Sequence, residues 1–156
     1  MTDNQNEAKA LEMIKAKKPL TLVVATKQED YGGVDCYINR RKVDLKGEST
    51  LQQYPNTLLI SVGISKDGKN WRLPKYLEKF DTDVVVCDVA GGNDIFVLTP
   101  DILYKYYYGG FERKIKCPST DYFHNYHQLV VVPKSECKKF EEIYKSYVYI
   151  DIGDKK

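Results

Sequence analysis

Apolar and polar positions along this chain follow two rhythms, a helical period at the start and a strand period through most of the rest. In residues 3–17, Glu7, Leu11 and Ile14 share the i, i+4, i+7 spacing, which predicts an opening amphipathic helix with one carboxylate on its apolar stripe. Asp3 or Asn4 can cap it, and Lys17-Lys18-Pro19 ends it, because the residue before a proline disfavours helical backbone. Leu20 to Ala25 is a short β-branched run and predicts a buried strand. Thr26 to Gly33 is polar, ends in paired glycines and predicts a loop. Val34 to Ile38 and Val43 to Glu48 read as a hairpin around Asn39-Arg40-Arg41-Lys42. Thr57 to Ile64 is a further strand, closed by the turn Ser65-Lys66-Asp67-Gly68.

Asp83 to Val89 and Ile95 to Leu98 predict strands paired across Gly91-Gly92-Asn93-Asp94. Thr99-Pro100-Asp101 offers a capping hydroxyl, a proline at the first helical position and an acid near the positive helix end. That helix should run to about Tyr108 and stop at Gly109-Gly110. Leu129 to Val132 predicts a strand, Ser135 can cap a helix through about Lys145, and Tyr147 to Ile150 closes as an edge strand. This order predicts an α/β fold, a mixed β-sheet flanked by helices. At 156 residues, with no repeat or linker, the chain is expected to form a single domain over residues 1–156.

Composition narrows the class. Hydrophobic residues make up 42% and charged residues 29%, the balance of a globular protein rather than a disordered one. No apolar run approaches the roughly 20 residues that cross a bilayer, so no membrane partner is expected. The polar, acidic start lacks the basic and apolar regions of a secretory signal, so a cytoplasmic location is expected. The four cysteines, Cys36, Cys87, Cys117 and Cys137, are widely spaced and are expected as reduced thiols. Cys117, His124, His127 and Cys137 lack the tight paired spacing of zinc modules and are expected as core or loop residues. His127 has a phosphate contact as its alternative use. The chain contains no G-x-G-x-x-G, no G-x-x-x-x-G-K-[ST] and no G-x-S-x-G, so nothing points to a nucleotide cofactor or a serine nucleophile.

Net charge is +2, which selects no partner by itself. Two stretches are locally basic. Lys66, Lys69, Arg72, Lys75 and Lys79 lie among Trp71, Tyr76 and Phe80, while Lys105, Arg113, Lys114 and Lys116 lie among Tyr106, Tyr107, Tyr108 and Phe111. Basic side chains mixed with rings suit a nucleic-acid surface, and equally suit solvated loops over core tyrosines. Tyrosine occurs 13 times. The crowd at Tyr104 to Tyr108 leaves core packing, a base-stacking platform and a homodimer contact all open.

The candidate chemistry sits in the hairpin. Side chains alternate along a strand, so Asp44 and Lys46 share one face, opposite Val43 and Leu45. On the preceding strand Asp35 and Tyr37 oppose Val34, Cys36 and Ile38. A two-residue loop puts Asp35 opposite Asp44. A four-residue loop puts it opposite Lys46. Either brings all three polar groups to one face. Two carboxylates that close repel unless a cation lies between them, and Mg²⁺ or Mn²⁺ suits carboxylate oxygens and phosphate. A neighbouring ammonium can orient or help deprotonate a water and stabilise charge on phosphate. On spacing alone, a half-exposed hairpin face bearing the same residues is the commoner outcome, because D-x-K is a short pattern.

The segment Val34-Asp35 followed by Asp44-Leu45-Lys46 resembles the core of the PD-(D/E)XK nucleases. In that superfamily an opening helix often carries a Glu, a strand follows with an Asp, and a neighbouring strand carries (D/E)-x-K. Glu7, Asp35, Asp44 and Lys46 match these places in order and type. Phe80 to Val86 leading into Ile95 to Pro100 is similar to the strand pair that often follows the site in small members. The likeness covers roughly residues 5 to 108. It departs in having Val34 where the motif has Pro, and Asp rather than the commoner Glu before x-Lys46. The resemblance implies a restriction-endonuclease-like core and a Mg²⁺- or Mn²⁺-dependent endonuclease acting on nucleic acid, DNA first. It implies metal ligation by Asp35, Asp44 and the Leu45 carbonyl, and a role for Lys46 on the attacking water. Glu7, with Glu12 and Glu48 as rivals, would be the third acid. Lys66, Lys69, Arg72, Lys75, Arg113, Lys114 and Lys116 would grip phosphates. A non-catalytic binding domain on the same scaffold is the alternative.

Overall fold

The computed structural model describes residues 3–28, 33–109, 113–116 and 126–144. Helix α1 (Asp3–Ala16) ends as expected before Pro19, with Lys18 turning the chain at positive φ. Strands β1 (Leu22–Val24), β2 (Cys36–Ile38) and β3 (Arg41–Glu48) form an antiparallel meander. The chain then crosses through β4 (Thr57–Ser65) and returns as β5 (Asp83–Asp88), which lies parallel to β3. Strand β6 (Ile95–Leu98) pairs antiparallel with β5 and leads into α2 (Pro100–Tyr108). Strands β7 (Arg113–Lys116) and β8 (Tyr126–Pro133) follow, then the two-residue β9 (Lys138–Lys139) and the short α3 (Phe140–Ile143).

Among the described residues the strands form two sheets. One is six-stranded in the order β1-β2-β3-β5-β6-β9, and the other is three-stranded in the order β4-β8-β7. The fold is therefore mixed α/β. No helix among the described residues is long and apolar enough to cross a membrane.

Strand β5 explains the layering. It is buried at all six positions, as its continuous Val-Val-Val-Cys run requires of a strand covered on both faces. Val84 and Val86 enter a core with Leu58, Ile60 and Val62 of β4, Val130 and Val132 of β8, and Ile102 and Leu103 of α2. Val85 and Cys87 enter a second core with Ala10 and Ile14 of α1, Val43 and Leu45 of β3, and Phe140 and Tyr144. The six-stranded sheet is thus sandwiched, with α1 on one face and the small sheet and α2 on the other.

Glycine sets the α1 contact. A Cβ built on Gly47 would lie 2.2 Å from the Asn6 carbonyl oxygen, a backbone atom that cannot swing away. Gly47→Ala is expected to lift α1 from β3 and cost about 3 kcal/mol, at the upper end of overpacking penalties. A urea melt reads this directly as a lower midpoint at unchanged slope.

Several expectations need correction. Strand β1 is not buried: it is an edge strand paired only with β2, and Val23 and Val24 are 56% and 60% exposed. Strand β7 lies where no element is expected, because Arg-Lys-Ile-Lys carries almost no apolar signal. The helix expected from Ser135 to Lys145 is broken. Lys134–Glu136 is a 3-10 turn, Cys137 is extended, and Lys138 and Lys139 pair with Val97 and Phe96 of β6 before α3 begins. Thr99 does not cap the α2 backbone; its hydroxyl donates to the Asp101 carboxylate instead. The strand expected at 147–150 lies outside the described residues.

Candidate functional site

The hairpin register decides how the polar groups meet. Cys36 pairs with Val43 and Ile38 with Arg41, leaving a two-residue turn of Asn39 and Arg40. Both turn residues have positive φ, 48° and 72°, the twist that matches two antiparallel strands. Asn39 tolerates this conformation well, and its Oδ1 also accepts the Thr21 N–H at 3.0 Å. The regular register ends at Cys36 and Val43, one residue short of Asp35.

At Asp35 the ladder ends in an irregular step. The Asp35 N–H donates to the Val43 carbonyl at 2.8 Å, and its Oδ2 accepts the Leu45 N–H at 2.7 Å. The carboxylate thus serves an amide that an uninterrupted β2 would have served with its own backbone. A strand residue sends its N–H and C=O to the same side. The Leu45 carbonyl therefore leaves β3 on the side of Asp35, while the Leu45 side chain is buried under α1.

Asp44 and Lys46 lie on the other face of β3, opposite Val84 and Val86 in the parallel register. Lys46 Nζ stands 3.1 Å from Asp44 Oδ2, with the two side chains 31% and 17% exposed. That oxygen is itself shielded from solvent and has no aligned hydrogen-bond donor, so the ion pair is close but poorly directed. Lys46 also lies 4.6 Å over the Tyr76 ring, and the Tyr76 hydroxyl donates to the Ser61 carbonyl. Burial acts to lower the Lys46 pKa, but the charge of Asp44, then Tyr76, the bond to Asp44 and Glu48 outweigh it and hold the side chain as an ammonium. The group is suited to orienting a water and meeting negative charge rather than to removing a proton.

The remaining acids separate. Glu7 is exposed on α1, close enough that it adds to Asp35 and Asp44 in raising the Cys36 thiol, which burial first pushes up, to about 12. Glu12 pairs with Lys15 at 3.4 Å on the exposed helix side and is not drawn into this cluster. Glu48 ends β3 in register with Asp88, a buried acid that accepts the Ala90 N–H at 3.0 Å. Among the described residues no three His, Cys, Asp or Glu side chains converge as a metal site. A cation here would rest on Asp35, Asp44 and the Leu45 carbonyl, oxygen donors of the kind a hard divalent ion takes, with Asp44 Oδ2 shielded from solvent.

Of the basic residues, Lys66, Lys69, Arg72 and Lys75 are exposed beyond β4, with Lys75 paired to Glu78 at 3.5 Å. Arg113, Lys114 and Lys116 lie on β7, the outer strand of the small sheet. The zinc grouping does not assemble within the described residues. His127 lies near the start of β8, whereas Cys137 follows the turn beyond its far end with its Sγ 3.9 Å from the Pro133 carbonyl oxygen, about 20 Å along the strand at roughly 3.4 Å per residue. Cys117 and His124 lie outside the described residues.

Two residues near Lys46 carry no signal in the sequence. Tyr76 arrives from the β4–β5 crossover. Ser61 Oγ lies 3.0 Å from His127 Nδ1 across the small sheet. Both Ser61 and His127 line a cleft of about 250 Å³ that also contains Lys46 and Glu48. Comparison with protein-family models, curated proteins and solved structures finds no match for this chain.

Proposed function

We propose that the chain is a Mg²⁺- or Mn²⁺-dependent endonuclease that hydrolyses phosphodiester bonds in nucleic acid, with DNA as the substrate expected first. The observation that carries this reading is the solvent-shielded Asp44 carboxylate held against the Lys46 ammonium on β3, with Asp35 bonded to the intervening Leu45 amide. The order of an opening helix, Asp35 immediately before strand β2, and a neighbouring strand β3 that carries Asp44-Leu45-Lys46 supports it. Asp35, Asp44 and the Leu45 carbonyl would hold the ion, with Glu7 or Glu48 in support. When bound, a divalent ion supplies a more acidic water and neutralises charge on the phosphate. Lys46, kept charged, positions that water and stabilises the negative charge that builds on the phosphoryl oxygens. Lys66, Lys69, Arg72 and Lys75, with Arg113, Lys114 and Lys116, would hold flanking phosphates.

A second reading is a non-catalytic binding domain. It draws on one feature: Asp35 already satisfies the Leu45 amide, and Lys46 already faces Asp44 and Tyr76. The two readings separate in a cleavage assay with plasmid, linear and single-stranded DNA and RNA, with Mg²⁺ or Mn²⁺ and with chelator. The nuclease reading expects cleavage that needs the metal and stops on chelation. Intact nucleic acid in every lane would favour the binding domain.

A further inference from the structure

The cleft beside Lys46 has a composition the hydrolytic cluster does not need. Two of the large apolar side chains that line it, Tyr54 and Leu59, are 47% and 38% exposed. Leu129 continues this apolar wall. Polar groups are set into it: Thr50, Thr57 and a bonded pair, the Ser61 hydroxyl and the His127 ring, 3.0 Å apart. Lys46 stands at the inner side, shared with the candidate site, and Glu48 borders it. Strand β4 is the outer strand of its sheet, so the cleft opens along an edge rather than under a closed layer.

We infer that this cleft receives one unpaired nucleotide, so that the substrate class of the proposed reaction is single-stranded nucleic acid. The inference rests on the nuclease reading only for the reaction, not for the binding. At about 250 Å³ the space lies below the roughly 300–1,000 Å³ that takes a whole drug-sized ligand and suits one ring better than a base pair. A single planar ring fits. Tyr54, Leu59 and Leu129 offer it apolar contact, and Ser61 with His127 offers donor and acceptor groups to its edge. Its phosphate falls to the Lys46 side, because the Glu48 carboxylate would repel it elsewhere in the cleft. A base inside a continuous duplex cannot make these contacts without leaving its stack.

The test is fluorescence anisotropy with a labelled oligothymidylate and with a blunt duplex of equal length, in chelator so that nothing is cut. The single strand should bind at least about tenfold more tightly than the duplex. Tyr54→Ala should weaken the single strand by about tenfold, within the range for loss of one stacking ring, and leave the duplex unchanged. Tyr54 is exposed, so the variant keeps its fold. Equal or tighter duplex binding, no binding of either, or an unchanged affinity in Tyr54→Ala would overturn the inference. Tyr54-dependent binding of single strands by a protein that never cuts would instead overturn the nuclease reading alone. Cleavage of duplex undiminished by Tyr54→Ala would overturn this inference and leave that reading standing.

Discussion

Asp44→Asn is expected to reduce metal-dependent cleavage on the order of a thousandfold while the protein stays folded. The size follows from removing both the proposed metal-holding charge and the partner that sets Lys46, at a centre where one misplaced electrostatic group costs about a hundredfold to a thousandfold. The fold should survive for a separate reason. The Asp44–Lys46 pair is partly open to water, with side chains 17% and 31% exposed, and pairs of that kind contribute about 1 kcal/mol or less. Asparagine also keeps the shape of the side chain. The variant is read by initial cleavage rate beside a thermal melt. Parent-like cleavage would remove Asp44, and with it the proposed site.

A stability effect as large as that at Gly47 is expected at Asp83→Ala. Asp83 opens β5 and is buried, yet it accepts two bonds from Arg41, at 2.7 and 2.8 Å, and one from the Tyr144 hydroxyl at 2.6 Å. It thereby ties the start of β3 and the end of α3 to the central strand. The Arg41 guanidinium is held well above its ordinary range, first by this hydrogen bond, against the opposing effect of burial. Removing the carboxylate leaves the Tyr144 hydroxyl buried without its acceptor and Arg41 without its anion. Breaking a buried pair in this way costs about 3–5 kcal/mol; the Arg41 side chain, 46% exposed, can turn to water, which favours the lower figure. At roughly 2–4 °C per kcal/mol for a chain of this size, the melting temperature should fall by about 10 °C. A shift under about 2 °C would mean the network is dispensable.

The hairpin and the facing of its side chains were legible because alternation is a local property. Val43 and Leu45 point into the core, so Asp44 and Lys46 must point away from it, whatever surrounds them. The loop length was not legible. Both a two-residue and a four-residue turn satisfied the pattern, and the observed one places Arg40 at a positive φ that arginine does not favour. Central strand β5 was readable from its unbroken valines. Strand β7 was not, since Arg113 to Lys116 becomes a strand only by pairing with β8. The C-terminal helix misled for the same reason: Ser135 is a sound cap, but pairing of Lys138 and Lys139 with β6 prevails over local preference. Tyr76 and Ser61 reach the neighbourhood of Lys46 only through the crossover between the sheets. No spacing rule anticipates that.

The proposed site depends first on whether Asp35 and Asp44 share an ion. The most direct measurement is calorimetric titration of Mn²⁺ into the pure protein and into Asp44→Asn, with no nucleic acid present. The account predicts one site per chain in the parent, lost or weakened at least about tenfold in the variant. Parent and variant with the same isotherm, or no Mn²⁺ heat in either, would contradict it.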